Sequence, residues 1–128
     1  LLETVNESNK KRIRNARILD DGLKGIEEHI ITPPRSPKFK EVYQLTVALA
    51  TQRDKLLQFM LSKGVDCKIH YPIPLHLQKC AKDLGYKQGD FPECEKQSNE
   101  IITIPAHQHV TEEQMEYIVE TIHSFYKD

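Results

Sequence analysis

The sequence predicts an α+β domain: a small, mainly antiparallel sheet of about three strands with helices packed on it. Three observations predict it. Short stretches that alternate apolar and polar residues mark half-buried strands. Amphipathic helical stretches separate those strands. A capping box, Thr111-Glu112-Glu113-Gln114, opens a final helix with Met115, Ile118, Val119 and Ile122 at helical spacing.

The first element is a helix from about Leu2 to Leu23, on composition more than on periodicity. No proline interrupts it, and Gly22 and Gly25 mark its end. Leu2, Val5, Ile13, Ala16 and Leu23 form a weak apolar stripe, broken by Asn9. Lys10, Lys11, Arg12, Arg14 and Arg17 make a basic cluster, either a solvated helix face or a phosphate-binding one. Pro33, Pro34 and Pro37 make Ile30–Lys38 a loop or edge connection.

Tyr43–Leu49 reads as a half-buried strand with Tyr43, Leu45, Val47 and Leu49 on one face. A helix follows, with Thr51 as N-cap, Leu56, Leu57, Met60 and Leu61 on one face, and Gly64 as its stop. Val65–Tyr71 reads as a second strand with Cys67 and Ile69 inward. Leu77–Leu84 is a short helix ending at Gly85. Asp90 is the cap of another, with Pro92 in its first turn, running to about Asn99. Ile101–Ile104 is a third strand, stopped by Pro105.

Bulk properties narrow the function. The 128 residues suit one domain with a genuine core. With 18 basic and 19 acidic residues the net charge is −1, so there is no general drive toward nucleic acid or acidic membranes. No apolar run is long enough to span a bilayer, and no signal peptide is visible. Three cysteines at irregular spacing do not suggest a disulfide framework, which points to a reducing cytoplasm. The chain does not begin with Met and opens inside a helix, which suggests a piece of a longer protein.

The richest chemistry lies in His70-Tyr71-Pro72-Ile73-Pro74-Leu75-His76-Leu77-Gln78. Two prolines at alternate positions bar a helix and hold the segment extended. His70 and Tyr71 at its entrance are candidates to hydrogen-bond a polar ligand. The alternative is a histidine satisfied at a strand end and a tyrosine half in the core. Both side chains reach one ligand only if the chain twists at Pro72, because successive strand residues face opposite ways. Cys67, His70, His76 and Cys80 carry the right atoms for zinc, but Cys67 and His70 face opposite ways on a strand. The other reading is a core Cys67 and a partly exposed His76. His107 and His109 read as part of a polar loop. Neither Cys80 nor Cys94 has a base nearby in sequence, which gives cysteine nucleophile chemistry little support.

The proline segment, with Leu84-Gly85-Tyr86, Gly89-Asp90-Phe91-Pro92, Ile104-Pro105 and the helix opening at Thr111, resembles the C-terminal part of the DegT/DnrJ/StrS family. Members are pyridoxal-phosphate-dependent aminotransferases that act on nucleotide-linked ketosugars. The resemblance runs from roughly Lys10 to Phe125. One departure is Gln44, where the family often has histidine after the tyrosine. The resemblance implies that residues 1–24 are a helix linking from a large cofactor domain, and that residues 25–128 are the small domain. The large domain would carry the Schiff-base lysine, so this chain alone would be inactive and bind no pyridoxal phosphate. Partners of the parent, a homodimer, would be a nucleotide-linked ketosugar and an amino-acid donor, usually glutamate. His70 and Tyr71 would then contact the sugar or its diphosphate at the pocket rim. A free-standing sugar-nucleotide-binding module without chemistry, or a small zinc domain, is the alternative.

Overall fold

A computed structural model describes residues 2–127. Helix α1 spans Leu2–Gly22, strand β1 Ile30–Ile31, strand β2 Thr46–Ala50 and helix α2 Arg53–Ser62. Two short 3₁₀ turns follow, Leu75–Leu77 and Lys79–Leu84. Helix α3 spans Pro92–Glu100, strand β3 Ile101–Ile104 and helix α4 Glu112–Lys127. The sheet order is β1-β2-β3, antiparallel throughout. The α+β class with a small antiparallel sheet is therefore the one the sequence predicts.

The register decides which face of the sheet is buried. Ile30 pairs with Ala50, Ala48 with Ile102, and Thr46 with Ile104. Directly opposite residues share a face, and all six are buried. Against them pack Leu19 and Leu23, Leu56 and Met60 of α2, and Met115, Ile118 and Ile122 of α4, in one apolar cluster. Each large side chain fully buried there contributes about 1.5–3 kcal/mol.

Helices α1 and α4 approach closely because Gly22 has no side chain. A Cβ there would stand 2.7 Å from both Val119 methyl carbons. The His123 Nε2–H donates to the Gly22 carbonyl over 2.7 Å across the same contact. Asn15, fully buried, donates to the carbonyls of His107 and Val110 ahead of α4. The expected capping box forms: the Thr111 N–H donates to Gln114 Oε1, and the Gln114 N–H to Thr111 Oγ1.

Several elements differ from the sequence-based expectation. The strand expected over Tyr43–Leu49 starts at Thr46, and its buried face carries Thr46, Ala48 and Ala50. Tyr43 has φ 50, which breaks an extended entry. Its carbonyl and that of Gln44 accept from the Arg12 guanidinium instead of from a neighbouring strand. Part of the Ile30–Lys38 connection supplies strand β1. The strand expected over Val65–Tyr71 is reduced to a single bridge, Lys68 to Thr103. Cys67 is buried there as expected, but a tight Cys67–Val65 backbone bond and a φ of 60 at Tyr71 prevent a longer ladder.

Caps shift as well. Gln52, at φ 51, precedes α2, and Thr51 makes no cap: its N–H donates to the His29 carbonyl and its carbonyl accepts from Tyr126. Phe91, not Asp90, precedes α3. Asp90 instead accepts from the Lys87 N–H. In α1 the buried residues are Asn15, Ala16 and Leu19, while Leu2 and Val5 are exposed.

Candidate functional site

Residues 70–76 form an arm held at both ends. At its entrance His70 Nδ1 shares a 2.8 Å hydrogen bond with Thr103 Oγ1 on β3. Its Nε2 has no hydrogen-bond partner among the described residues and stays available to a ligand. Tyr71 follows in the left-handed region, with its side chain largely in solvent. A tyrosine rarely adopts that conformation unless the flanking structure enforces it. Pro72 and Pro74 then stiffen the arm, and Ile73 and Leu75 stand out from the surface. The Leu77 N–H donates to the Pro74 carbonyl and the Gln78 side chain to the Ile73 carbonyl, which turns the chain back.

The chain turns at Tyr71 itself rather than at Pro72, and the turn does not bring the two side chains into one groove. The His70 and Tyr71 rings lie 6.4 Å apart between centroids. They border two different grooves. His70 lines one of about 220 Å³ with Gln44, Asp66, Lys68, Thr103 and His107. Tyr71 lines another of about 280 Å³ with Ile73, Leu75, Cys94, Gln97 and Ile101. Both are lined mainly by apolar surface, the first with more charged and hydrogen-bonding groups at its edge, and they share no lining residue, so one extended ligand could meet both only across the arm.

At the exit His76 is buried, in contrast to the partly exposed position expected for it. Its Nε2–H donates to Glu95 Oε1 over 3.0 Å, and the Phe91 ring packs on it at 4.8 Å. The same Glu95 oxygen accepts from the Gly89 N–H at 2.8 Å and the Phe91 N–H at 3.4 Å. Burial of this carboxyl pushes its pKa up. The Gly89 N–H, His76 and the Phe91 N–H outweigh burial and hold it below the usual carboxylate value. Glu95 and Thr103 are the residues that sequence reasoning missed. Glu95 carries one local signal, an acidic side chain in the first turn of a helix.

The groups considered for a metal do not converge. Cys67 lies in the core, its thiol pushed up to about 12 by burial and then by Asp66. His76 is committed to Glu95, and Cys80 is exposed. Among the described residues no three His, Cys, Asp or Glu side chains are placed to hold a metal ion. His107 and His109 sit in the loop before α4, where the His109 N–H donates to His107 Nδ1. In the basic cluster of α1, Arg12 is spent on Gln108 and two carbonyls. Arg14 reaches Asn15, Glu112 and the Val110 carbonyl. Both arginines are engaged within the domain, and Arg14 also stays partly exposed.

Every described lysine is exposed, and none lies in an enclosed pocket where a Schiff base could be shielded from water. The residues of this chain therefore do not by themselves fit a pyridoxal phosphate site. No described helix is long and apolar enough to cross a membrane.

A family model of the DegT/DnrJ/EryC1/StrS aminotransferases matches residues 1–123. The chain belongs to this family. A pleiotropic regulatory protein of Geobacillus stearothermophilus is 34% identical over 111 residues, 87% of this chain and 29% of that protein. A dTDP-3-amino-3,4,6-trideoxy-alpha-D-glucose transaminase of Streptomyces venezuelae is 25% identical over 101 residues, 79% of this chain and 26% of that enzyme. The solved structure of S. venezuelae DesV in complex with a ketimine intermediate superposes with a TM-score of 0.93 at 23% identity. It covers 99% of this chain and 34% of DesV. That likeness shows the fold. The chain spans about a third of the length of the family members it matches.

Proposed function

We propose that this chain is the C-terminal small domain of a pyridoxal-phosphate-dependent aminotransferase that acts on a nucleotide-linked ketosugar. The observation that carries this reading is the family match over residues 1–123 by a chain about a third the length of its relatives. The exposure of every described lysine supports placing the cofactor in the remaining two thirds. In this reading α1 enters from the large domain, residues 25–128 form the small domain, and the chain alone does not transaminate. The free cysteines Cys67, Cys80 and Cys94 suit a reducing cytoplasm.

The parent reaction exchanges an amine for a carbonyl oxygen. The amino-acid donor, glutamate by family resemblance, loses its amino group and becomes a 2-keto acid. The sugar carbon changes from C=O to CH–NH₂, so two electrons pass from the donor carbon to the sugar carbon. This chain's part is to bind and orient the sugar nucleotide. His70 offers Nε2 at the rim of the groove it shares with Asp66, Lys68 and Thr103, and the Tyr71 hydroxyl stands free on the far side of the arm. The parent acts as a homodimer, with this rim near the subunit boundary.

In the full-length protein, His70→Ala with Tyr71→Phe is expected to raise KM for the sugar nucleotide by about tenfold or more, the scale of one lost hydrogen bond to a charged ligand. The absorbance of the bound cofactor should not change. Unaltered kinetics with the sugar nucleotide would remove these residues from the site. A second reading is a sugar-nucleotide-binding module without chemistry; the name of the Geobacillus stearothermophilus relative, a pleiotropic regulatory protein, states no catalytic activity. That reading requires binding of the sugar nucleotide and no amine product.

A further inference from the structure

The proline arm has a second anchor that the proposed ligand contacts do not use. His76 and Glu95 are both on the inside of the arm, with side chains only 7% and 15% exposed. One Glu95 oxygen gathers the His76 ring, the Gly89 N–H and the Phe91 N–H. It thereby ties three separate pieces of chain together: the end of the arm, the turn at Gly89, and the start of α3. Phe91 closes the knot by packing on His76, and Tyr86 packs edge-on against Phe91. Neither His76 nor Glu95 borders the groove lined by His70 or the one lined by Tyr71.

The arm needs such an anchor. Residues Tyr71, Ile73 and Leu75 bury little of themselves, at 72%, 54% and 74% exposure. Apolar packing therefore cannot hold them. Tyr71 is also in a left-handed conformation that relaxes unless both flanks are fixed. His70 fixes one flank through Thr103, and His76 fixes the other through Glu95. Charge-assisted bonds with defined geometry suit this work better than dispersion.

We propose that His76 and Glu95 are positioning residues for the sugar-nucleotide site: their bond sets the height and direction of the arm that presents His70 and Tyr71. The inference rests on the functional reading above. It assigns a role to the second histidine of the proline segment and to the Gly89–Phe91 turn.

The test uses the full-length enzyme. Glu95→Ala removes the shared acceptor, Glu95→Gln keeps an acceptor oxygen without the charge, and His76→Gln keeps a donor without the ring. Lys96→Ala, on the same helix and exposed, is the control. The expected result in Glu95→Ala and His76→Gln is a rise of about tenfold in KM for the sugar nucleotide. The kcat and the KM for the amino donor should hold, because the arm acts on the binding of only one substrate. Glu95→Gln should restore part of the loss, and Lys96→Ala should change nothing. Amide exchange should accelerate at Gly89, Phe91 and Leu77, whose N–H groups are hydrogen-bonded in the clasp and the arm, and stay unchanged in α4. If Glu95→Ala does not fold, His76→Gln carries the same readout. Faster exchange in the arm with an unchanged sugar-nucleotide KM would overturn the inference. It would leave the functional reading intact, provided the His70→Ala/Tyr71→Phe enzyme shows its raised KM. Equal rises in KM for both substrates, or an effect as large in Lys96→Ala, would reduce the pair to ordinary stabilisation. An unchanged KM in the His70→Ala/Tyr71→Phe enzyme would overturn both this inference and the ligand role of His70 and Tyr71.

Discussion

The two halves of the molecule are held by different forces. Around the sheet, Leu19, Met60, Ile102, Met115 and Ile122 are fully buried against one another. From residue 70 to 91 several large apolar side chains are exposed instead: Tyr71, Ile73, Leu75 and Leu84. That region is kept in shape by His70–Thr103, by His76–Glu95 with the half-exposed Phe91 and Tyr86 rings packed beside it, and by two prolines. Dispersion and the hydrophobic effect fill space without choosing a direction. Hydrogen bonds between fixed groups define direction while burying little area. The first half makes the fold, and the second half aims a surface.

The sharpest way to break this comparison is to truncate one side chain in each half. Met60→Ala leaves a cavity in the core and is expected to cost about 2–5 kcal/mol. Leu75→Ala, at the arm, is expected to cost no more than about 0.5 kcal/mol. Native-state hydrogen exchange of core amides in β2 and β3 reads both. Similar costs at the two positions would mean that the arm also contributes packing, and the division would fail.

A smaller effect separates the halves by pH. The pKa of Glu95 is lowered in the folded protein, so its contribution is present above the ordinary glutamate pKa. It is lost as pH falls through the lowered folded value. The protection of the Gly89 and Phe91 amides, relative to their intrinsic exchange rates at each pH, is therefore expected to fall in that acid range before protection in α4 does. Simultaneous release of both would show that the clasp has no independent role.

The sequence made the regular elements legible wherever local rules agree. The final helix is the clearest case, since Thr111 and Gln114 cap it and Met115, Ile118 and Ile122 recur on one face. Strand Ile101–Ile104 and the stops at Gly64 and Gly85 are read equally well. The reading fails where a distant contact decides. Alternation along Tyr43–Leu49 points to the larger side chains as the inner face. The helices packed against the sheet instead select the small Thr46, Ala48 and Ala50. Strand β1 has two residues beside a proline-rich stretch, too short to carry a period.

The site was half legible. The proline segment announces a stiff arm, and His70 stands at its entrance as expected. Its fastening was not readable. Glu95 lies 19 residues from His76, and nothing in the local pattern joins them. The basic helix divides: Arg12 and Arg14 bind the domain's own carbonyls and side chains, while Lys10, Lys11 and Arg17 stay on an exposed face.

The central claim is that this chain works as one part of a nucleotide-sugar aminotransferase. The most direct measurement is the intact mass and visible absorbance of the protein purified from its own cells. The account predicts a polypeptide about three times this length that carries the yellow absorbance of bound pyridoxal phosphate. A colourless native product of this size would contradict it and leave a binding domain without the enzyme.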